Sequence, residues 1–145
     1  MIRIDIPATS ANLGSGFDSL GIALTMCNRV WMEEADELKI TTTDKIKVPT
    51  DETNLIYWAA RHLYQICGKT LPGLHIIQEN NIPMARGLGS SSACIVAGIL
   101  GANRMLGSPM SQSDLINLAA QIEGHPDNTS PAISGGLVAS AMEGK

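Results

Sequence analysis

Pro83-Met84-Ala85-Arg86-Gly87-Leu88-Gly89-Ser90-Ser91-Ser92-Ala93 runs straight into an apolar stretch, Cys94 to Met105, that reads as a helix. Glycines just ahead of a helix let backbone N–H groups come close to an anion, and the helix dipole adds positive potential at that end. The serine run supplies hydroxyls that can cap the helix or reach a metal-bound phosphate. The Gly-Lys-Ser/Thr ending of a Walker A loop is missing, so a phosphate loop of another kind is implied. An ordinary glycine turn with a serine N-cap accounts for the same residues.

Outward from this stretch, helical and strand patterns interleave, which predicts a mixed fold of strands and helices. The helix over 91–106 closes at Gly107, and a second over 54–67 closes at Gly68. A third, 111–123, opens with Ser111-Gln112-Ser113-Asp114, a capping box with Asp in the Glu position. Strands are predicted over 1–6, 28–34, 38–43, 73–78 and 135–141 from β-branched content and flanking turn residues. The acidic run Glu33-Glu34-Ala35-Asp36-Glu37 reads as a solvated turn between two of them. No internal repeat or linker divides the 145 residues, so one domain is expected over 1–145.

A net charge of −4 offers no broad basic field for nucleic acid or anionic membranes. Aromatics at 3% leave few platforms for base stacking, and the core must rest on aliphatic side chains. The longest apolar stretch, Ala93 to Ala102, falls short of the ~20 residues of a membrane span. The N-terminus alternates like a strand and lacks the apolar core of a signal peptide, so a cytoplasmic, membrane-free protein is expected. Cys27, Cys67 and Cys94 show no C-x-x-C spacing and read as buried thiols. His62 and His75 fall inside element patterns and read as structural.

Two further stretches carry chemistry. Pro7 to Gly21, a run of small polar residues read as a loop after the first strand, includes Asn12 and Asp18. Together they can grip an amino acid, or they can simply make turns beside Gly14 and Gly16. Glu123-Gly124-His125-Pro126-Asp127-Asn128 follows the third helix. Glu123 can give Mg²⁺ a carboxylate oxygen, while His125 and the Asp-Asn pair can equally cap the helix or turn the chain.

In this order, the three stretches resemble the GHMP kinase superfamily, named for galactokinase, homoserine kinase, mevalonate kinase and phosphomevalonate kinase, and within it the homoserine kinases. The resemblance implies an α+β N-terminal domain like ribosomal protein S5 domain 2, with a rare left-handed βαβ crossover. It implies ATP and Mg²⁺ as cofactors. Pro83, Arg86, Gly87, Leu88, Gly89, Ser90, Ser91 and Ser92 would meet the ATP phosphates, with Ser91 and Glu123 around Mg²⁺. Asn54 would stand on the adenine side, although an N-cap of the 54–67 helix is an equally good reading. Asn12, Asp18 and His125 would face homoserine, whose hydroxyl would be phosphorylated to O-phospho-L-homoserine in threonine biosynthesis. Ser15 and Pro126 depart from the residues usual in the family.

No residue is assigned as a base. Asn128 stands where related kinases carry an Asp beside a Lys, and positioning with charge neutralisation can drive phosphoryl transfer. The resemblance covers essentially the whole chain but only the first half of a family member. The expectation is therefore a chain truncated at its C-terminal end, lacking a ferredoxin-like domain, inactive alone and open to homodimerisation. The alternatives are another small-molecule kinase of the superfamily, of mevalonate or diphosphomevalonate type, and a non-catalytic nucleotide or amino-acid binding module.

Overall fold

The computed structural model describes residues 1–11, 20–82, 90–123, 133 and 137–139. Its strands are β1 (Ile2–Ala11), β2 (Leu20–Glu34), β3 (Lys39–Thr42), β4 (Leu74–Glu79) and β5 (Leu137–Ala139). The helices are α1 (Leu55–Ile66), α2 (Ser90–Met105) and α3 (Gln112–Glu123). The mixed sheet runs β1-β2-β4-β3, and β5 also pairs with β2. All pairs are antiparallel except β3 with β4, which are joined through α1 as a parallel βαβ unit.

The predicted helices and strands are present, with one correction. Pro7–Ala11 and Leu20–Gly21 lie in strands rather than in the loop expected over Pro7–Gly21, β2 continues through residues 22–27, and the register of the hairpin shifts between Pro7 and Thr9. Small polar residues mimic a loop in sequence, yet a long antiparallel ladder satisfies their backbone groups as well as any turn does. Pro7 is tolerated because β1 pairs only with β2 among the described strands, so the missing N–H interrupts no second ladder.

Alternation in the strands sends one set of side chains into the core. Ile4, Ile6, Val30, Met32, Leu74 and Ile76 are buried against α1 and α2, while Arg3, Asp5, Arg29 and Glu79 pair on the other face. The acidic run is split: Glu33 and Glu34 finish β2, and only Ala35–Glu37 turn away. Glu34 accepts a hydrogen bond from the Tyr64 hydroxyl, and burial, followed by that bond, pushes the phenol pKa up.

Each helix ends as its sequence indicates. Asn54 caps α1, its Oδ1 accepting from the N–H groups of Ile56 at 2.9 Å and Tyr57 at 3.4 Å. Ser111, just before α3, and Asp114, in its first turn, exchange reciprocal 3.2 Å hydrogen bonds. Gly68 and Gly107 adopt φ of 73° and 85° and close α1 and α2, where paired backbone bonds satisfy the last carbonyls.

Helix α2 is pressed so tightly between α1 and the sheet that side chains are excluded at two points. A Cβ on Gly98 would lie 2.3 Å from the Ile56 carbonyl oxygen, and one on Gly101 would lie 2.2 Å from Met32 Sδ. A carbonyl in a helix cannot step aside, whereas a Met side chain can swing to another rotamer. Gly98→Ala is accordingly expected to lower unfolding free energy by about 1–3 kcal/mol even after the gain in helix propensity, and Gly101→Ala by less. Urea unfolding of the two variants checks the order; equal or reversed losses would contradict it.

Candidate functional site

The first turns of α1 and α2 flank one cavity of about 230 Å³. Thr53, Asn54 and Leu55 reach it from the entry and start of α1, Ser91 and Cys94 from α2, Asn28 from β2, and Gln78, Asn80 and Ile82 from β4 and its exit. The segment Ile46–Pro49, between β3 and α1, forms the remaining wall. Its volume lies below the ~300–1,000 Å³ common for whole small ligands, so it suits one flat ring system with the rest of the ligand outside.

Polar groups around the cavity are tied into a network. Asn54 Nδ2 donates at 2.9 Å to both the Pro49 carbonyl and Gln78 Oε1, and Gln78 Nε2 reaches Asn80 Oδ1 at 3.2 Å. With Oδ1 engaged in the helix cap, all the polar atoms of Asn54 have protein partners. Asn54 thus lines the cavity as a fixed strut. Asn54 and Gln78 are buried, and such groups are costly unless paired. Cys94 also faces the cavity; burial pushes its thiol pKa up to about 11, so it stays protonated near neutrality and is a poor nucleophile.

Three outcomes concern the serines and Glu123. Ser90 begins α2, Ser91 lines the cavity, and the buried Ser92 hydroxyl donates to Glu123 Oε1 at the end of α3. A hard carboxylate oxygen therefore stands beside the N-terminal turn of α2, with Ser92 rather than Ser91 as its direct partner. This donor set fits Mg²⁺, which takes few protein oxygens when phosphates and waters complete its shell. Among the described residues no three His, Cys, Asp or Glu side chains gather to hold a metal alone.

Asn12, Asp18, Pro83, Arg86, Gly87, Leu88, Gly89 and His125 lie outside the described residues. The three cysteines are free, as expected, and partly rather than wholly shielded from solvent, where buried thiols were expected. The histidines stay with the framework: His62 stacks on Trp58 with ring centroids 5.3 Å apart, and His75 Nδ1 lies 3.9 Å from Glu33. Sequence reasoning missed Asn28, Gln78 and Asn80. Their signal, polar residues in or just after apolar strands, becomes informative only once the strands are paired.

The profile for the N-terminal domain of GHMP kinases matches residues 54–136, which begins at the Asn54 cap and takes in α1, β4, α2 and α3. The chain belongs to the GHMP kinases. It is 49% identical to a homoserine kinase of Trichodesmium erythraeum over 99% of this chain and 49% of that protein. The crystal structure of a homoserine kinase from Cytophaga hutchinsonii superposes with a TM-score of 0.84 at 31% identity, over 97% of this chain and 48% of that one. The mevalonate kinase of Methanococcus jannaschii shares the fold, at TM-score 0.74 and 15% identity, over 94% of this chain and 52% of that one. This GHMP kinase chain thus spans about half the length of the curated relatives it matches. Among its described residues, no helix is long and apolar enough to cross a membrane.

Acid should loosen the cavity wall at a defined group. Asp44 Oδ2 accepts from the Asn80 N–H at 2.7 Å and Oδ1 from the Ile46 N–H at 3.0 Å, and these bonds hold its carboxyl below the usual 3.8. Because the folded value is the lower one, its stabilisation is complete above the unfolded value and is lost as pH falls through the folded value. Asp44→Asn should therefore unfold with a shallower acid limb below about pH 4. Thermal unfolding from pH 6 to pH 2 measures this, and parallel curves would refute the assignment.

Proposed function

We propose that this chain carries the nucleotide site of an ATP-dependent kinase that transfers the γ-phosphoryl group of ATP to the hydroxyl of L-homoserine. The products are ADP and O-phospho-L-homoserine, as threonine biosynthesis requires. The observation that carries this reading is the convergence of the α1 and α2 first turns on one ring-sized cavity, in a chain 49% identical to a homoserine kinase. The adenine ring occupies the cavity, and the phosphates run along the start of α2. There the backbone N–H groups and the Ser91 hydroxyl meet negative charge.

Mg²⁺ neutralises charge on the β- and γ-phosphates when bound. Ser91 and Glu123 would hold it, with Ser92 orienting the Glu123 carboxylate through their hydrogen bond. Pro83, Arg86, Gly87, Leu88, Gly89, Ser90 and Ser92 form the remainder of the phosphate site in this reading. Asn12 and His125 hydrogen-bond homoserine, and Asp18 faces its ammonium. Transfer proceeds through alignment and charge neutralisation with no dedicated base. A second α+β domain of the whole protein completes the substrate pocket and excludes water.

The test uses the complete reading frame, ATP, Mg²⁺ and either homoserine or mevalonate, with the phosphorylated product identified by mass spectrometry. Homoserine turnover in the ordinary kinase range of ~1–100 s⁻¹ is expected, and preference for mevalonate would overturn the substrate assignment. The 145-residue chain by itself should bind ATP and turn over far more slowly.

Within the complete enzyme, Ser91→Ala and Glu123→Ala should each raise the Mg²⁺ requirement. Their double variant should lose less than the sum of the single losses, because the second change strikes an arrangement already broken. Steady-state rates across Mg²⁺ concentrations measure the coupling. Strict additivity would mean that the two residues do not share an ion.

A further inference from the structure

Three successive backbone N–H groups past the end of β4 are all captured by side-chain oxygens from other segments. Asp44, after β3, accepts from Asn80 at 2.7 Å; Asn28, on β2, accepts from Asn81 at 2.6 Å and from Ile82 at 2.8 Å. The β2–β4 ladder stops at Arg29 and Glu79, and the pairing of β2 with β5 involves only Leu20–Ile22. Residues 23–28 therefore have no strand partner on that edge of β2 among the described residues. The chain leaving β4 turns into this opening, where Asn81 Nδ2 donates at 3.0 Å to the Cys27 carbonyl.

The opening meets the cavity at Asn28. Asn28, Asn80 and Ile82 all line the cavity, Asn28 and Ile82 are buried, and Asp44 also accepts from Ile46 on the opposite wall. Asn28 is the acceptor for two of these N–H groups, so an apolar residue in its place would strand both. We infer that Asn28 and Asp44 are positioning residues of the nucleotide site, fixing residues 80–82 as the wall against which the base packs. The inference rests on the nucleotide reading of the cavity. It assigns these residues no contact with the reacting groups.

Adenosine is the probe, because it carries no phosphate and is indifferent to an added carboxylate. Its affinity for the 145-residue chain is measured by calorimetry for the wild type, Asn28→Leu, Asn28→Asp and Asp44→Ala, beside amide hydrogen exchange and thermal melting. Asn28→Leu is expected to weaken adenosine about tenfold or more and to expose the Asn81 and Ile82 amides to exchange. Asn28→Asp keeps the acceptor oxygen and should stay within about threefold of the wild type, with both amides protected. Such rescue separates positioning from general stability.

A folded Asn28→Leu chain with both amides exchanging freely and wild-type adenosine affinity would overturn the inference. If Asn28→Leu does not fold, Asp44→Ala decides by the same criterion at the Asn80 amide. Failure of the wild-type chain to bind adenosine sinks the nucleotide reading instead, whereas unchanged protection of all three amides in the variants sinks the positioning role alone.

Discussion

A backbone that leaves a sheet must find new partners for its N–H groups, and in this chain that requirement shapes the candidate site. At the end of β4 the ladder is replaced by the side chains of Asn28 and Asp44, which hold residues 80–82 from two flanks. Buried donors without acceptors cost roughly 1–3 kcal/mol each, so these bonds hold residues 80–82 in place in the free chain. Preorganisation of this sort reduces the ordering cost that binding must otherwise meet.

The same economy appears at the helix starts. Asn54 caps α1 and braces the Ile46–Pro49 wall through the Pro49 carbonyl, so one side chain serves helix, wall and strand at once. Close packing of α2 at Gly98 then holds the first turn of α1, where the Ile56 carbonyl lies, against the middle of α2. The α1 end of the cavity is thereby held by a close-packed helix–helix contact. That end therefore depends on the helix–helix contact as well as on the residues that line it.

Local signals made much of this legible in the sequence. The helix boundaries follow from Asn54, the Ser111–Asp114 box, Gly68 and Gly107, each of which acts within a few residues. The glycine-serine stretch and Glu123 identified the α2 start and its neighbour without revealing that Ser92 makes the direct bond, since serines one residue apart differ by only 100° around a helix. Nor could local reading place Asn28 or Gln78 at the cavity, because their partners are 53, 54 and 24 residues away. The hairpin of β1 and β2 was underestimated for a related reason: its outer half is held by cross-strand pairing, whereas its composition is that of a turn.

Fold and substrate are separable in this architecture. A mevalonate kinase chain shares the fold at 15% identity, so the scaffold of sheet, α1 and α2 tolerates almost complete replacement of its side chains. Under the proposed function, discrimination between acceptor alcohols falls to segments attached to the scaffold. Two of them are tied to one end of the sheet: residues 12–19 join β1 to β2, and residues 124–136 run from Glu123 towards β5, which pairs with β2 at Leu20–Ile22. The Ser92–Glu123 bond anchors the second segment beside the start of α2. Substitutions within 12–19 can thus leave the strand pairing on either side of them intact, since those ladders are made by backbone groups and do not depend on side-chain identity.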